Sequence, residues 1–171
     1  MSAFLDVSRA LKNPGQIYPF EISPEIGEME VFGDPIHFEN VVASGEFFGT
    51  GARVSVRGHV TAEVHAHCAK CLEPVSEPLQ ADIDAVLARE IDPEDPDLYY
   101  FEESSADFTD LVKDALILEL PYRFLCSEDC KGLCTSCGTN LNLGTCTCRT
   151  DVDDMNPFAA LKAIAQNYEE V

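Results

Sequence analysis

Eight cysteines carry the chemistry open to this 171-residue chain. Two stand in "CAKC", at Cys68 and Cys71, and six in "CSEDCKGLCTSCGTNLNLGTCTC", at Cys126, Cys130, Cys134, Cys137, Cys146 and Cys148. Thiols serve as disulfide partners, redox centres or metal ligands, and spacing discriminates among these. Two thiolates separated by two residues reach one tetrahedral ion at about 2.3 Å per bond, because the turn between them points both sulfurs inward. Gly138 follows the second cysteine of "CTSC", where such a turn favours glycine. A thioredoxin-type pair needs its CxxC at a helix N-terminus instead. "CAKC" is followed by "LEPVSEP", whose Pro74 and Pro78 stop a helix, and "CTSC" is followed by the turn-forming "GTNLNLG". The spacing therefore points to ligands rather than to a redox catalyst.

Cys134, Cys137, Cys146 and Cys148 make one locally closed set, since the connection between Cys137 and Cys146 is long enough to turn back. Cys126 and Cys130 then meet Cys68 and Cys71 across the fold as a second set, tying the end of a strand to the end of a helix. The expected cofactor is zinc, one or two ions with a structural role. Spacing leaves other partitions open, such as Cys126 and Cys130 with Cys146 and Cys148, or a single ion with spare buried cysteines. His65 and His67 precede Cys68 and are either alternative ligands or a surface pair, as alternate strand residues point the same way. His37 and His59 have no evident partner. No catalytic constellation stands out. "ASGEFFGTGAR" lacks both the P-loop ending and the full dinucleotide fingerprint. All-cysteine sets are closed rather than catalytic. A non-enzymatic protein is expected.

The elements that must position these thiols are read from periodicity. Val54, Val56, Gly58, Val60, Ala62, Val64 and Ala66 alternate with polar residues, the signature of a half-buried strand, with a bulge or bend expected at Gly58. Strands are also expected in 15–22, around "IHFENVVASGEFF", and in "LQADIDAVLARE", where Leu79, Ala81, Ile83, Ala85 and Leu87 share a face. Residues 90–110 hold nine acidic residues and no basic one, and read as a solvated loop. A helix over about 107–120 follows, capped by Asp107 and stopped by Pro121, with Phe108, Leu111, Val112, Ala115 and Leu118 on one face. "NPFAALKAIAQNYEEV" reads as a short C-terminal helix with Asn156 as cap and Phe158, Leu161, Ile164 and Ala165 on its core face. The fold class is α+β: an antiparallel β-meander, then a helix, a Cys-rich zinc-stapled segment and a short C-terminal helix. The expected division is 1–121, mainly sheet, and 122–171, the zinc-binding segment.

Composition bounds the partners. A hydrophobic content of 46% can build a core. Lys and Arg number 11 against 31 Asp and Glu, a formal net charge of −20. Gripping nucleic acid through its phosphates takes a basic face. Between Cys126 and Cys148 only Lys131 is basic up to the last cysteine. Extensive direct nucleic-acid binding is disfavoured, and a basic protein partner is favoured. No apolar run approaches the roughly 20 residues of a membrane span, and the N-terminus lacks a basic region followed by an apolar one. A cytoplasmic location is expected, where thiols stay reduced.

"CAKCLEPV" with its following strand, "DLVKDALILELPYRFLC", "CKGLCTSCGTNLNLGTCTC" and the terminal "NPFAALKAI" together resemble the YceD family of large ribosomal RNA subunit accumulation proteins. The likeness runs from about residue 50 to 165, and "CKGLCTSCGTNLN" is its specific part. All eight cysteines match the cysteine-rich branch; Thr135 departs from it where proline is common. The resemblance implies a non-enzymatic ribosome-biogenesis factor that supports synthesis, processing or stability of large-subunit (23S) ribosomal RNA. It also implies a gene placed beside that of a small basic zinc-bearing protein of the large subunit. Joined to the charge, it suggests that the acidic chain holds a basic ribosomal protein or assembly factor. A zinc–thiolate redox switch is the alternative. A direct RNA-binding module using Arg53 and Arg57 ranks third.

Overall fold

The structure is a computed structural model and describes residues 3–31, 33–90 and 97–148. Its elements run β1 (Phe4–Asp6), α1 (Ser8–Lys12), β2 (Ile17–Ile22), β3 (Gly27–Val31), β4 (Asp34–Gly49), β5 (Val54–His67), β6 (Pro74–Ala88), β7 (Leu98–Tyr100), β8 (Ser105–Asp107) and α2 (Thr109–Glu119). The main sheet has the order β2-β4-β5-β6-β7, with β3 also paired to β4, and β1 pairs β8 in a small second sheet. Long, consecutive, antiparallel β4, β5 and β6 form its spine.

Alternation explains the spine. Along β5, Val54, Val56, Val60, Ala62, Val64 and Ala66 are buried while Arg57, His59 and Thr61 face water. On β6 the buried Ala81, Ile83 and Leu87 continue the same apolar face. Helix α2 lies against that face, chiefly on β6, and seals it with Leu111, Val112 and Leu116. Phe108 at the helix entry is fully buried and meets Phe20 edge-on, with ring centroids 5.3 Å apart.

Gly58 forms no bulge. It sits opposite Gly45 in unbroken register, where a Cβ on either residue would strike the backbone of the other strand. The register shift falls in β4 between Glu39 and Val42, and Asn40 there takes a left-handed backbone with φ 53°.

The acidic stretch is also more than a solvated loop. Its described part, 97–110, contains β7, which runs parallel to β6, and β8. Phe101, Ala106 and Phe108 are buried there, and their spacing among the carboxylates carries the structure. Because β8 holds Asp107 extended, α2 starts at Thr109 with Phe108 at the N-cap position. The Asp107 carboxylate still accepts the Thr109 N–H at 2.9 Å and the Thr109 hydroxyl at 2.6 Å. Leu118 is 85% exposed, so the helix buries Leu116 in the place expected for Leu118. The C-terminal helix expected from Asn156 onward lies outside the described residues.

Candidate metal centres

The β5–β6 connection is a knuckle built from "CAKC". Cys68 N–H donates to Glu73 O at 2.8 Å, and Leu72 N–H donates back to Cys68 O at 2.9 Å. Closing that turn needs a left-handed residue, and Leu72 supplies it with φ 62°. "CTSC" repeats the device: Gly138 N–H donates to Cys134 O at 2.8 Å, with φ 72° at Gly138. Glycine has no Cβ penalty there, whereas leucine does.

The Cys-rich segment is laid onto the first knuckle by backbone bonds. Ala69 N–H donates to Phe124 O at 2.9 Å and Leu133 N–H to Lys70 O at 3.0 Å. Lys70 Nζ donates to Cys130 O at 3.1 Å. Gly132, with φ 75°, lies where a Cβ would stand 3.0 Å from Lys70 O. These contacts bring Cys126 and Cys130 to Cys68 and Cys71.

The eight sulfurs fall into two groups, Cys68, Cys71, Cys126 and Cys130, and Cys134, Cys137, Cys146 and Cys148. Within each group all four sulfurs lie within 4.8 Å of one another. Cys68 and Cys130 Sγ are 3.7 Å apart, and Cys71 and Cys126 Sγ 3.5 Å. The edge of a tetrahedron with metal–sulfur bonds of about 2.3 Å is about 3.8 Å, so these separations suit one shared ion. They are far from the roughly 2.05 Å of a disulfide, and all eight cysteines are free. The groups differ in exposure. Cys68, Cys71 and Cys130 are buried beside Val75, Leu125 and Leu133, and Cys126 is exposed. In the second group Cys134 is buried, Cys137 exposed, and Cys146 and Cys148 half-buried.

Their protonation is split in the same way in both groups. At Cys68 burial opposes ionisation, but N–H donors from Cys126, Lys70 and Cys71 outweigh it and bring the thiol down to about 6. Cys130 is lowered first by the Asn142 amide. Cys71 receives a bond at Glu73 that favours ionisation, yet burial and the neighbouring sulfurs push it up to about 12, and Cys126 is raised as well. In the second group Cys137 falls to about 6 through Thr139 and Cys134 falls through backbone N–H donors, while Cys146 rises and Cys148 reaches about 12 against their ionised partners. Four adjacent sulfurs cannot all carry charge without a cation among them. A divalent ion in each group removes that conflict, and the donor set can hold one.

The histidines stand apart from both groups. His65 Nδ1 lies 2.7 Å from Ser76 Oγ, and its Nε2 lies 3.5 Å from Glu39 Oε2. His37, expected to have no partner, reaches Glu39 Oε1 at 3.3 Å and lies beside His65, with ring centroids 6.0 Å apart. His59 likewise meets Ser44 Oγ at 3.4 Å. Register explains both pairs, since β4 places His37 opposite His65 and Ser44 opposite His59. His67 lines a surface cleft with Ala69, Arg123 and Phe124. Asn142 and Thr139, read from sequence only as turn formers, bond to the Cys130 and Cys137 sulfurs, and Asn140 beside them bonds to the Glu73 carboxylate.

A sheet protein whose longest hairpin ends in a cysteine knuckle, joined there to a Cys-rich segment, defines the class. The profile of the family described as "Large ribosomal RNA subunit accumulation protein YceD" matches residues 56–165. The chain belongs to this family. An uncharacterised protein of Mycobacterium leprae is 30% identical over 115 residues, covering 64% of this chain and 51% of the relative. One from Mycobacterium tuberculosis strain H37Rv is 32% identical over 93 residues, covering 52% and 45%. The large ribosomal RNA subunit accumulation protein YCED homolog 1, chloroplastic, of Zea mays is 25% identical over 140 residues, covering 62% and 48%. The chain thus spans about half the length of these curated relatives. No solved structure matches it significantly. Among the described residues no helix is long and apolar enough to cross a membrane.

Proposed function

We propose that this protein is a non-enzymatic ribosome-biogenesis factor that supports accumulation of large-subunit (23S) ribosomal RNA. The family match carries this reading, because residues 56–165 include most of β5, all of β6 and α2, and all eight cysteines. Zinc held by Cys68, Cys71, Cys126 and Cys130, and by Cys134, Cys137, Cys146 and Cys148, supplies structure rather than chemistry. Closed four-thiolate sets leave no coordination position for a substrate. Free thiols of this kind belong in a reducing compartment, and the cytoplasm is the proposed location.

A net charge of −20 favours a basic partner, a ribosomal protein or an assembly factor. Arg57, one of the two arginines considered for an RNA contact, lies 3.7 Å from Asp84 and over the Phe48 ring. Two measurements test the proposal. Depleting the protein in its host lowers the ratio of large- to small-subunit ribosomal RNA, and wild type restores it while the Cys134→Ser, Cys137→Ser double variant does not. Binding to purified basic ribosomal proteins weakens steeply with salt. An unchanged RNA ratio on depletion overturns the function, and salt-insensitive or absent binding overturns the partner.

A redox switch is the second reading, favoured by exposed Cys126 and Cys137. Two thiolates and one peroxide, taking up two protons, give a disulfide and two waters and release the ion. Zinc release by dilute peroxide no faster than from ordinary closed sites removes this reading.

A further inference from the structure

The two sulfur groups share a strut. The loop between Cys137 and Cys146 begins and ends at members of the second group, yet it lies against the first. Asn142 Nδ2 donates to Cys130 Sγ at 3.3 Å, while Oδ1 of the same amide accepts the Lys131 N–H at 2.8 Å. Two residues earlier, Asn140 Nδ2 donates to Glu73 Oε1 at 3.1 Å, and the Glu73 carbonyl accepts the Cys68 N–H. Asn140 Oδ1 also accepts the Asn142 N–H at 3.0 Å, and Leu141 N–H donates to Gly132 O at 2.9 Å. Three consecutive residues of one group's loop are thereby tied to the other group, Asn140 to its knuckle at Glu73, and Leu141 and Asn142 to residues 130–132.

We propose that Asn142 couples the two centres. An ion held by Cys134, Cys137, Cys146 and Cys148 fixes the loop that delivers the Asn142 amide to Cys130, and so raises the affinity of Cys68, Cys71, Cys126 and Cys130 for their own ion. This rests on the reading of both groups as metal centres. An N–H donor stabilises negative charge on a thiolate and holds the sulfur in one orientation, so it favours the ligand form. When the loop ends are not clamped, ordering the loop costs conformational entropy before that bond can form. The clamp removes this cost, and by linkage the first centre helps to fill the second by the same factor.

The coupling gives the unequal exposure of the groups a consequence. Chelation or oxidation strikes the more exposed second centre first, and Asn142 transmits its loss to the more buried staple between sheet and Cys-rich segment. The protein then responds to zinc supply as a unit rather than losing one ion harmlessly. Outer partners of this kind are worth about 10- to 100-fold in metal affinity, which is the expected size of the effect.

The test uses the full chain, zinc and a competing chromophoric chelator, with native mass spectrometry counting ions. Asn142→Asp keeps an oxygen for the Lys131 N–H and removes the donor to sulfur but sets a carboxylate beside Cys130, so the uncharged Asn142→Leu is run with it and must show the same loss. Each is expected to weaken the ion at Cys68, Cys71, Cys126 and Cys130 by about 10- to 100-fold. Cys146→Ser with Cys148→Ser is expected to weaken the same ion by a similar factor, and adding the uncharged Asn142→Leu to that background costs nothing further. In protein loaded with 113Cd, each ion is assigned through its cysteine Hβ couplings. An Asn142 side-chain amide proton is expected to show scalar coupling to the ion on Cys130. Wild-type affinity in either Asn142 variant, or losses that multiply in the combined variant, overturns the coupling and leaves the metal reading intact. Absence of bound ion in wild type overturns both. If the serine variant does not fold, the two Asn142 variants and the cadmium signature decide alone, since these keep all eight cysteines.

Discussion

Stripping the ion from the sheet-anchored centre tests what the staple contributes. Cys71 and Cys126 are 55 residues apart, and the loop they close contains β6, β7, β8 and α2. Chain-entropy reasoning puts the cost of closing a loop of that length at about 4 kcal/mol. In the folded protein the sheet and helix have already brought the ends together, with the two sulfurs 3.5 Å apart. The folded form is therefore expected to bind an ion about a thousandfold more tightly than the same four cysteines in the unfolded chain. By mass action, saturating metal stabilises the fold by up to about 4 kcal/mol even if the unfolded chain binds it too. For a domain of this size that corresponds to a rise in Tm of roughly 8–16 °C. Circular dichroism melts of zinc-loaded and chelator-stripped protein, under strong reductant, measure the difference. Equal Tm values, with mass spectrometry showing that the ion has left, would mean that the metal adds nothing to the stability of the fold. The sulfurs would then be close because the fold is rigid without a metal.

Three smaller perturbations probe the framework. Leu116→Ala should cost about 2–5 kcal/mol in urea unfolding, while Leu118→Ala, at an exposed position, should stay within about 0.5 kcal/mol; equal losses would mean that α2 is wrongly phased. Leu72→Gly should stabilise the protein, because relieving a left-handed leucine gains roughly 1–2 kcal/mol and glycine's unfolded-state entropy returns only about 0.5–1 kcal/mol; a destabilised variant would show that the exposed leucine side chain has a packing role. Tyr99 donates to Asp114 at 2.8 Å, and burial first, then that bond, raises its pKa above the ordinary value of about 10. A raised folded-state pKa gives stability that is present below the unfolded value and lost as pH rises through the folded one. Tyr99→Phe should thus cost about 1 kcal/mol at neutral pH and lose less than wild type above pH 10, and parallel pH profiles would refute it.

Much of this was legible in the residues, and what was not has physical reasons. The valines and alanines of β5 report their own inward face, because a strand's period of two needs no other information. CxxC spacing is likewise a local statement, and both knuckles follow from it. Phe101 and Ala106 were hidden in 90–110 because carboxylates dominate any count of that stretch, whereas one buried side chain in or beside each short strand is enough to anchor it. In α2 the run from Ala115 to Leu118 is apolar on every side, so periodicity alone does not choose between Leu116 and Leu118; packing on β6 does. The pairing of His37 with His65 depends on register, which no single strand encodes. Asn142 was the least visible. Its meaning depends on a contact twelve residues away, Cys130, which exists only once the loop is folded back.

Two closed four-cysteine metal centres in one chain have a direct spectroscopic signature. Zinc-edge X-ray absorption, with metal content determined on the same purified, reduced full chain, counts both ions and ligands. Two ions per chain, each with four sulfur neighbours at about 2.3 Å, are expected. Fewer than two ions, or nitrogen or oxygen in the first coordination shell, would contradict two such centres.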